Sequence, residues 1–101
     1  MLEKMTAATF SEVLNTKFHF HLPSSDVVEL ELTKVDELDS TPRQERFSLL
    51  FQGPLDQVLS QGMYRVEHNQ LDTVDLFIVP IAKEETGMVY EAAFNRTKKQ
   101  P

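Results

Sequence analysis

The stretch of sequence that decides the fold is RFSLLFQGPLDQVLSQGMYRVEH, residues 46–68. Its first part alternates apolar residues and predicts a strand, which Gly53 and Pro54 end because proline has no N–H for the strand ladder. Residues 55–59 have the apolar spacing of one helical turn, and a second strand begins at Gly62. We expect further strands on either side of this stretch to pack onto the pair.

The composition is that of one small globular domain. The chain has 101 residues, of which 41% are hydrophobic and 26% charged. This length suffices for one domain with a core and is too short for two. The predicted domain covers residues 1–95, and a flexible tail is predicted at residues 96–101.

Charge and cysteine content exclude several functions. The formal net charge of -6 argues against nucleic-acid binding, because proteins that bind the phosphate backbone need clustered Lys and Arg. The absence of cysteine excludes disulfides, thiol catalysis and thiolate zinc sites. No segment has the pattern of a signal peptide or a membrane span. We therefore expect a soluble cytoplasmic protein, with export that needs no cleaved signal left open.

The N-terminal part predicts a helix and then a strand. A capping box that starts at Thr9 indicates a short helix over about residues 6–14, which must dock on the rest because one or two turns are not stable alone. Residues 17–22 alternate strictly, so their apolar side chains share one face. His19 and His21 lie together on the other, polar face.

Two later segments predict strands with local irregularities. Residues 27–38 alternate, but the apolar positions shift by one near Val35 and again at Leu38, which predicts two bulges or bends. Residues 74–81 form the most apolar run of the chain, which is typical of a strand covered on both faces along part of its length. Pro80 restricts that end to an edge, a first residue or a bulge.

With a last strand at residues 88–94, the chain contains about six strands joined by short connections, a spacing typical of small sandwiches and barrels. Such local connections favour antiparallel neighbours. The prediction is an all-β domain of about six mostly antiparallel strands, forming a small barrel or sandwich, with one short N-terminal helix.

His19 and His21 are the sharpest candidates for chemistry. Alternate residues of a strand point the same way, so both imidazoles can meet one metal ion. At least one more ligand would be needed. The candidates for it are His68, Glu67, Glu29 and Glu31. Two solvated side chains on a polar strand face would explain the same pattern, and no cofactor is predicted.

No catalytic constellation is complete. Ser24, Ser25 and Asp26 are explained by turn chemistry, since a hydroxyl without a positioned base is inert and no Gly-x-Ser-x-Gly elbow occurs. The three glycines are isolated, so no phosphate-binding loop is formed. The sequence predicts that the protein is not an enzyme.

Aromatic and arginine side chains are enriched in protein interfaces. Tyr64, Arg65, Tyr90 and Arg96 are therefore candidate interface residues. The alternative is that both tyrosines are core residues whose hydroxyl groups reach water.

Four motifs carry a resemblance to a known family. They are FSLLFQGP at residues 47–54, LSQGMYRVEH at 59–68, LFIVP at 76–80 and YEAAFN at 90–95. Together they resemble a family of small bacterial domains of unknown function, over about residues 10–95. Relatives in that family are encoded near tail-collar-like proteins of phage-derived particles, so the resemblance implies a structural or assembly role, and it supplies no catalytic residues.

The leading hypothesis is a non-enzymatic protein-interaction or structural module, accessory to a phage-tail-like or surface assembly, whose partner is another protein or a second copy. A contiguous apolar surface or an open strand edge would support it. The alternative is a small-ligand or metal-binding barrel that uses its interior or the face of His19 and His21. A barrel of this size has its interior largely filled by side chains. A hydrolase ranks last.

Overall fold

The computed structural model describes residues 6–40 and 44–97. This part of the chain forms one helix and six strands: α1 (Ala7–Ser11), β1 (Lys17–His21), β2 (Val27–Ser40), β3 (Gln44–Gly53), β4 (Gly62–Glu67), β5 (Val74–Glu84) and β6 (Gly87–Thr97). The strands close into a barrel in the order β1-β2-β3-β6-β5-β4. All neighbours are antiparallel. The all-β prediction is confirmed, and of the two predicted architectures, barrel and sandwich, the structure has the barrel.

The period-two alternation of the strands fills the barrel. Successive side chains of a strand point to opposite faces, so Phe18 and Phe20 of β1 lie inside while His19 and His21 face outward. The same rule buries apolar residues of the other strands. They include Val28, Leu30, Leu32, Phe47, Leu49, Phe51, Val66, Leu76, Ile78 and Ala92.

Helix α1 begins about where it was predicted, but its capping residue is a different one. Thr6 is its N-cap, and the Thr6 hydroxyl oxygen accepts a hydrogen bond of 3.2 Å from the Thr9 backbone N–H. The capping box predicted to start at Thr9 is therefore wrong. Thr6 satisfies an N–H of the first turn that would otherwise lack a partner, and the helix ends at Ser11.

One aromatic side chain of α1 closes an end of the barrel. Phe10 has no exposed surface. Its ring centroid lies 6.3 Å from that of Phe18, 6.1 Å from Phe47 and 5.6 Å from Phe94. A five-residue helix has little stability of its own, so this apolar contact holds it in place.

Strand β2 has both predicted irregularities. Its pairing with β3 shifts register between Leu32 and Lys34 and again between Glu37 and Ser40. The first shift lets Val35 pack against the core, as predicted. Leu38 remains 50% exposed. β2 continues to Ser40, and residues 41–43 lie outside the described part of the chain.

The predicted helical turn at residues 55–59 is wrong. The chain between β3 and β4 contains a turn and bends but no helix. Only Leu59 of its apolar residues is buried, whereas Leu55 is 42% and Val58 53% exposed. The connection crosses the barrel end with one side chain directed into the core.

Strand β5 is apolar on both faces but covered on one. Val74, Leu76 and Ile78 are buried, whereas Phe77 is 47% exposed. The prediction of two-sided cover is wrong here because a closed barrel has a single interior. Pro80 lies where the pairing with β6 shifts register, before Ala82, so of the three positions predicted for it the structure has the bulge.

The C-terminal strand extends past the predicted domain boundary. β6 pairs with β3 up to Thr97, opposite Gln44. Residues 96 and 97 thus belong to the barrel rather than to a tail. Residues 98–101 of the predicted tail lie outside the described part of the chain.

Candidate functional site

Side chains fill the interior of the barrel, so the candidate functional sites lie on its outer surface. Phe18 and Phe20 each lie edge-on against Phe51, with ring centroids 5.3 Å apart. Leu30 and Tyr90, also at 0% exposure, fill the same interior. A six-stranded barrel is narrower than the eight-stranded ones that hold one small ligand. The exposed faces therefore carry the candidate sites.

The first exposed face contains the two predicted histidines. β1 lies between β2 and β4, and His19 stands opposite Glu29 on one side and Glu67 on the other. The His21 Nε2 is 2.8 Å from the Glu67 Oε1. The His19 Nδ1 is 3.5 Å from the Glu29 Oε2. The barrel thus brings two imidazoles and two carboxylates together on three neighbouring strands.

This arrangement pairs the histidines with separate carboxylates. Glu67 and Glu29, two of the predicted third ligands, are the partners of His21 and His19 respectively. Within the part of the chain that the structure describes, no three His, Asp or Glu side chains form a metal-binding group. The metal site at His19 and His21 stays a prediction, and it would require at least one of these side chains to leave its present partner.

His68, another predicted ligand, is engaged elsewhere. Its Nε2 lies 2.8 Å from the Thr16 hydroxyl, and its Nδ1 accepts a hydrogen bond of 3.0 Å from the Gln70 backbone N–H. The Thr16 hydroxyl donates its own proton to the Val13 carbonyl, 2.6 Å away. The Thr16 oxygen must therefore accept from Nε2, and His68 is the neutral Nε2–H tautomer.

The environment of His68 favours that neutral form. Burial is the larger cause and the charge of His19 the smaller one, and together they lower the pKa of His68 below 6.5. The ring also packs against Phe18, with centroids 4.4 Å apart. Because Nε2 carries the proton and donates it to Thr16, His68 is not arranged as a base for the Thr16 hydroxyl. Sequence spacing gives no sign of this contact, since Thr16 and His68 are 52 residues apart.

The predicted interface residues occupy three different environments. Tyr90 is completely buried, so its prediction as an interface residue is wrong and the core alternative applies, with the hydroxyl bonded to the Leu59 N–H rather than to water. Tyr64 packs partly against the core and donates its hydroxyl proton to the Ser60 carbonyl at 2.7 Å. The Arg65 side chain points outward, and its Nε lies 3.9 Å from the Asp75 Oδ1.

Of the four predicted interface residues, Tyr64 and Arg65 have side chains that the structure describes and that are not fully buried. Their place in an interface stays a prediction. The side chain of Arg96 falls outside those that the structure describes, although its backbone pairs with β3 opposite Glu45.

A second exposed face is apolar, and sequence analysis did not identify its residues. Met63 of β4 stands opposite Phe77 of β5, and their side chains are 64% and 47% exposed. Val79, which is half-buried, follows Phe77 on the same face, and Ile81 at the β5 bulge is 50% exposed. We call these four residues the outer apolar strip. In the sequence, the unbroken apolar run of β5 indicated that the strand has two apolar faces. It did not show that no other element covers one of them.

Comparisons with known proteins identify the domain and no close relative of established function. No helix in the described chain is long and apolar enough to cross a membrane. Searches of the curated proteins and of the solved structures find no significant match. The model of one family, described as a domain of unknown function, matches residues 5–94. With that match over most of its length, including all strands but the end of β6, the chain belongs to the DUF6916 family.

Proposed function

We propose that this protein is a non-enzymatic protein-interaction module whose contact surface is the outer apolar strip. The observation that carries the proposal is the cross-strand pair of Met63 and Phe77, two large apolar side chains that are 64% and 47% exposed. Contiguous apolar surface of this kind is uncommon on monomeric proteins and is enriched where they bind partners. Phe and Met are also among the residues enriched in interface cores.

The strip would act through side-chain packing. Each described strand has a neighbour on both sides over part of its length, although residues 32–40 of β2 and 79–84 of β5 pair on one side only. The contact proposed here is the packing of partner side chains against the strip, and it does not need a partner strand that extends the sheet. The exposed Arg65 and Asp75 lie two register pairs from Met63 and Phe77 and would form part of a polar rim.

Charge favours a different protein over a second copy. Two copies that each carry a formal charge of -6 repel one another, whereas a partner with an apolar centre and basic flanks is attracted. We propose such a partner, belonging to the phage-tail-like or surface assembly that the family resemblance implies. Identifying the protein retained on this surface tests that assignment.

The test compares two substitutions of matched exposure. Phe77→Ser removes the centre of the strip, and Val27→Ser alters a residue that is 46% exposed on β2, on the opposite wall of the barrel. A tagged chain is used to capture proteins from its native cells, and the captured protein is then purified and titrated against each variant. We expect Val27→Ser to bind normally and Phe77→Ser to bind about tenfold more weakly or worse.

Two results would contradict the proposal. The first is equal affinity of both variants for the purified partner, with circular dichroism showing that both are folded. The second is a homodimer by light scattering that Phe77→Ser dissociates, because the strip would then be covered by a second copy.

A second candidate function is ligand or metal binding on the face of His19 and His21. It is favoured by the meeting of two imidazoles with Glu29 and Glu67 on three adjacent strands. Calorimetric titration with Zn²⁺ checks it, with His21→Ala as the test variant and His68→Ala, whose imidazole bonds to Thr16 instead, as the control. Unchanged heats in His21→Ala would remove this candidate.

A further inference from the structure

Met63 is the most exposed of the large apolar side chains that the structure describes, at 64%. It belongs to the outer apolar strip, where it stands opposite Phe77. It also lines a surface depression with Leu22 and Pro23, which follow β1, and with Arg65 of β4. Small solutes can therefore reach this side chain from the solvent.

The other methionine that the structure describes is less accessible. The chain has four methionines and no cysteine, so thioethers are its only sulfur groups. Met88 is half-buried and packs against the core, whereas Met1 and Met5 lie outside the described part of the chain. Because the oxidation of sulfur side chains follows their exposure, Met63 should react before Met88.

Oxidation converts this apolar side chain into a polar one. The Met63 sulfur attacks one oxygen of hydrogen peroxide, so that an S–O bond forms as the O–O bond breaks. The sulfur gives two electrons to the peroxide, and the departing hydroxide takes the proton of the transferred oxygen and leaves as water. The product is methionine sulfoxide, whose polarity disrupts contacts that methionine makes as an apolar residue.

A hydrogen-bond donor for the new oxygen lies beside Met63. Arg65 is two residues further along β4 and therefore on the same face, and it lines the same depression. Its Nε lies 3.9 Å from the Asp75 Oδ1, which is too long for a hydrogen bond. Within the described chain the Arg65 guanidinium thus keeps N–H groups that can bind a sulfoxide oxygen, whereas a thioether sulfur is only a weak acceptor.

We propose that Met63 is a modification site, at which a peroxide oxidises the thioether and so weakens binding at the outer apolar strip. This switch rests on the proposed interaction function, because it acts on the same surface. A bound partner covers Met63, so oxidation acts on the free protein and prevents its association. Methionine sulfoxide reductases reverse the reaction, so the partner can bind again after reduction.

The experiment compares the parent chain with Met63→Leu and Met88→Leu, since leucine has a similar volume and no sulfur. Each protein is treated with hydrogen peroxide, and mass spectrometry of its peptides locates the oxidised methionines. Retention on a phenyl column reports the exposed apolar surface without any partner. Affinity for the purified protein of the Phe77→Ser test is measured before oxidation, after it, and after treatment with methionine sulfoxide reductases.

We expect peroxide to oxidise Met63 several-fold faster than Met88 and to shorten the retention of the parent on the phenyl column. The oxidised parent should bind its partner about tenfold more weakly, and the reductases should restore the affinity. Met63→Leu should keep its retention and affinity in peroxide, whereas Met88→Leu should respond as the parent does.

The switch is overturned if Met63 and Met88 oxidise at equal rates, or if Met63→Leu loses as much affinity in peroxide as the parent. It is also overturned if the oxidised parent binds as tightly as the untreated one while Phe77→Ser binds more weakly. In that case the interaction function stands and only the switch fails. If Phe77→Ser also binds normally, the interaction function fails together with the switch.

Discussion

The backbone N–H of Leu59 donates a hydrogen bond of 2.8 Å to the phenolic oxygen of Tyr90 inside the barrel. Leu59 is 3% exposed and Tyr90 has no exposed surface. The bond ties the connection between β3 and β4 to β6, which is not a sequence neighbour. Burial raises the pKa of Tyr90, although the bond from Leu59 acts against it, so the phenol is neutral at physiological pH.

Removal of the Tyr90 hydroxyl should therefore destabilise the protein without changing its packing. Tyr90→Phe leaves the buried Leu59 N–H without a partner, and we expect the free energy of unfolding to fall by about 1–3 kcal/mol. Urea denaturation measures it. The control is Tyr64→Phe, whose hydroxyl meets the Ser60 carbonyl at the surface and should cost less than about 1 kcal/mol. Equal losses of unfolding free energy in the two variants would show that the buried bond to Leu59 stabilises the protein no more than the surface bond to Ser60.

The role of α1 is tested by shortening the side chain that closes the barrel. Phe10→Ala removes a ring in contact with three other aromatic rings, and we expect a loss of about 3–5 kcal/mol in the free energy of unfolding. Leu14→Ala, at a position 39% exposed, should cost less than about 1 kcal/mol. If both variants have similar urea midpoints, the helix does not contribute to the core.

A close approach of two backbone segments requires glycine at residue 87. A Cβ atom placed on Gly87 would lie 2.5 Å from the carbonyl oxygen of Gly53, and backbone cannot move aside as a side chain can. We expect Gly87→Ala to cost about 1–3 kcal/mol. In Gly62→Ala the nearest atom to the new Cβ is 3.9 Å away, on Tyr64. The Gly62→Ala variant should have a melting temperature equal to or slightly above that of the parent protein. A comparable loss of stability in both variants would show that the close approach of Gly87 to Gly53 is not what requires glycine.

The two faces of β5 should differ sharply in their sensitivity to truncation. Ile78→Ala empties a position with no exposed surface, and we expect it to cost about 2–5 kcal/mol. Phe77→Ala acts on the outer apolar strip, where the side chain is 47% exposed, and should cost less than about 1 kcal/mol. Thermal unfolding of the two variants checks this, and a larger loss at Phe77 would mean that its face is covered.

Local patterns predicted most of the strands. The alternation around Phe18 and Phe20 and the stop at Pro54 were predicted correctly, and a bulge was one of the three positions predicted for Pro80, because strand period and proline geometry depend on a few neighbouring residues. The register shifts of β2 were predicted for the same reason. A misplaced apolar residue within a strand needs a local bulge to reach the core, and the first shift brings Val35 there, whereas Leu38 at the second shift stays exposed.

Local patterns failed where the outcome depends on distant partners. The apolar spacing of residues 55–59 is that of a helical turn, but Leu59 finds its hydrogen-bond partner 31 residues away in Tyr90. Tyr90 itself has the residue type of an interface, and only the closed barrel places it inside. The apolar run of β5 indicated two apolar faces, yet whether another element covers the second face depends on the whole fold.

The sequence alone determined the number of strands, which of their side chains share a face, and the grouping of His19 with His21, because these follow from the two-residue period of a strand. Only the tertiary structure decided that the sheet closes, that Glu29 and Glu67 flank the histidines, that Thr16 meets His68, and that Met63 and Phe77 remain exposed. These contacts join strands that are distant in the chain, and their register is chosen by the packing of one shared core.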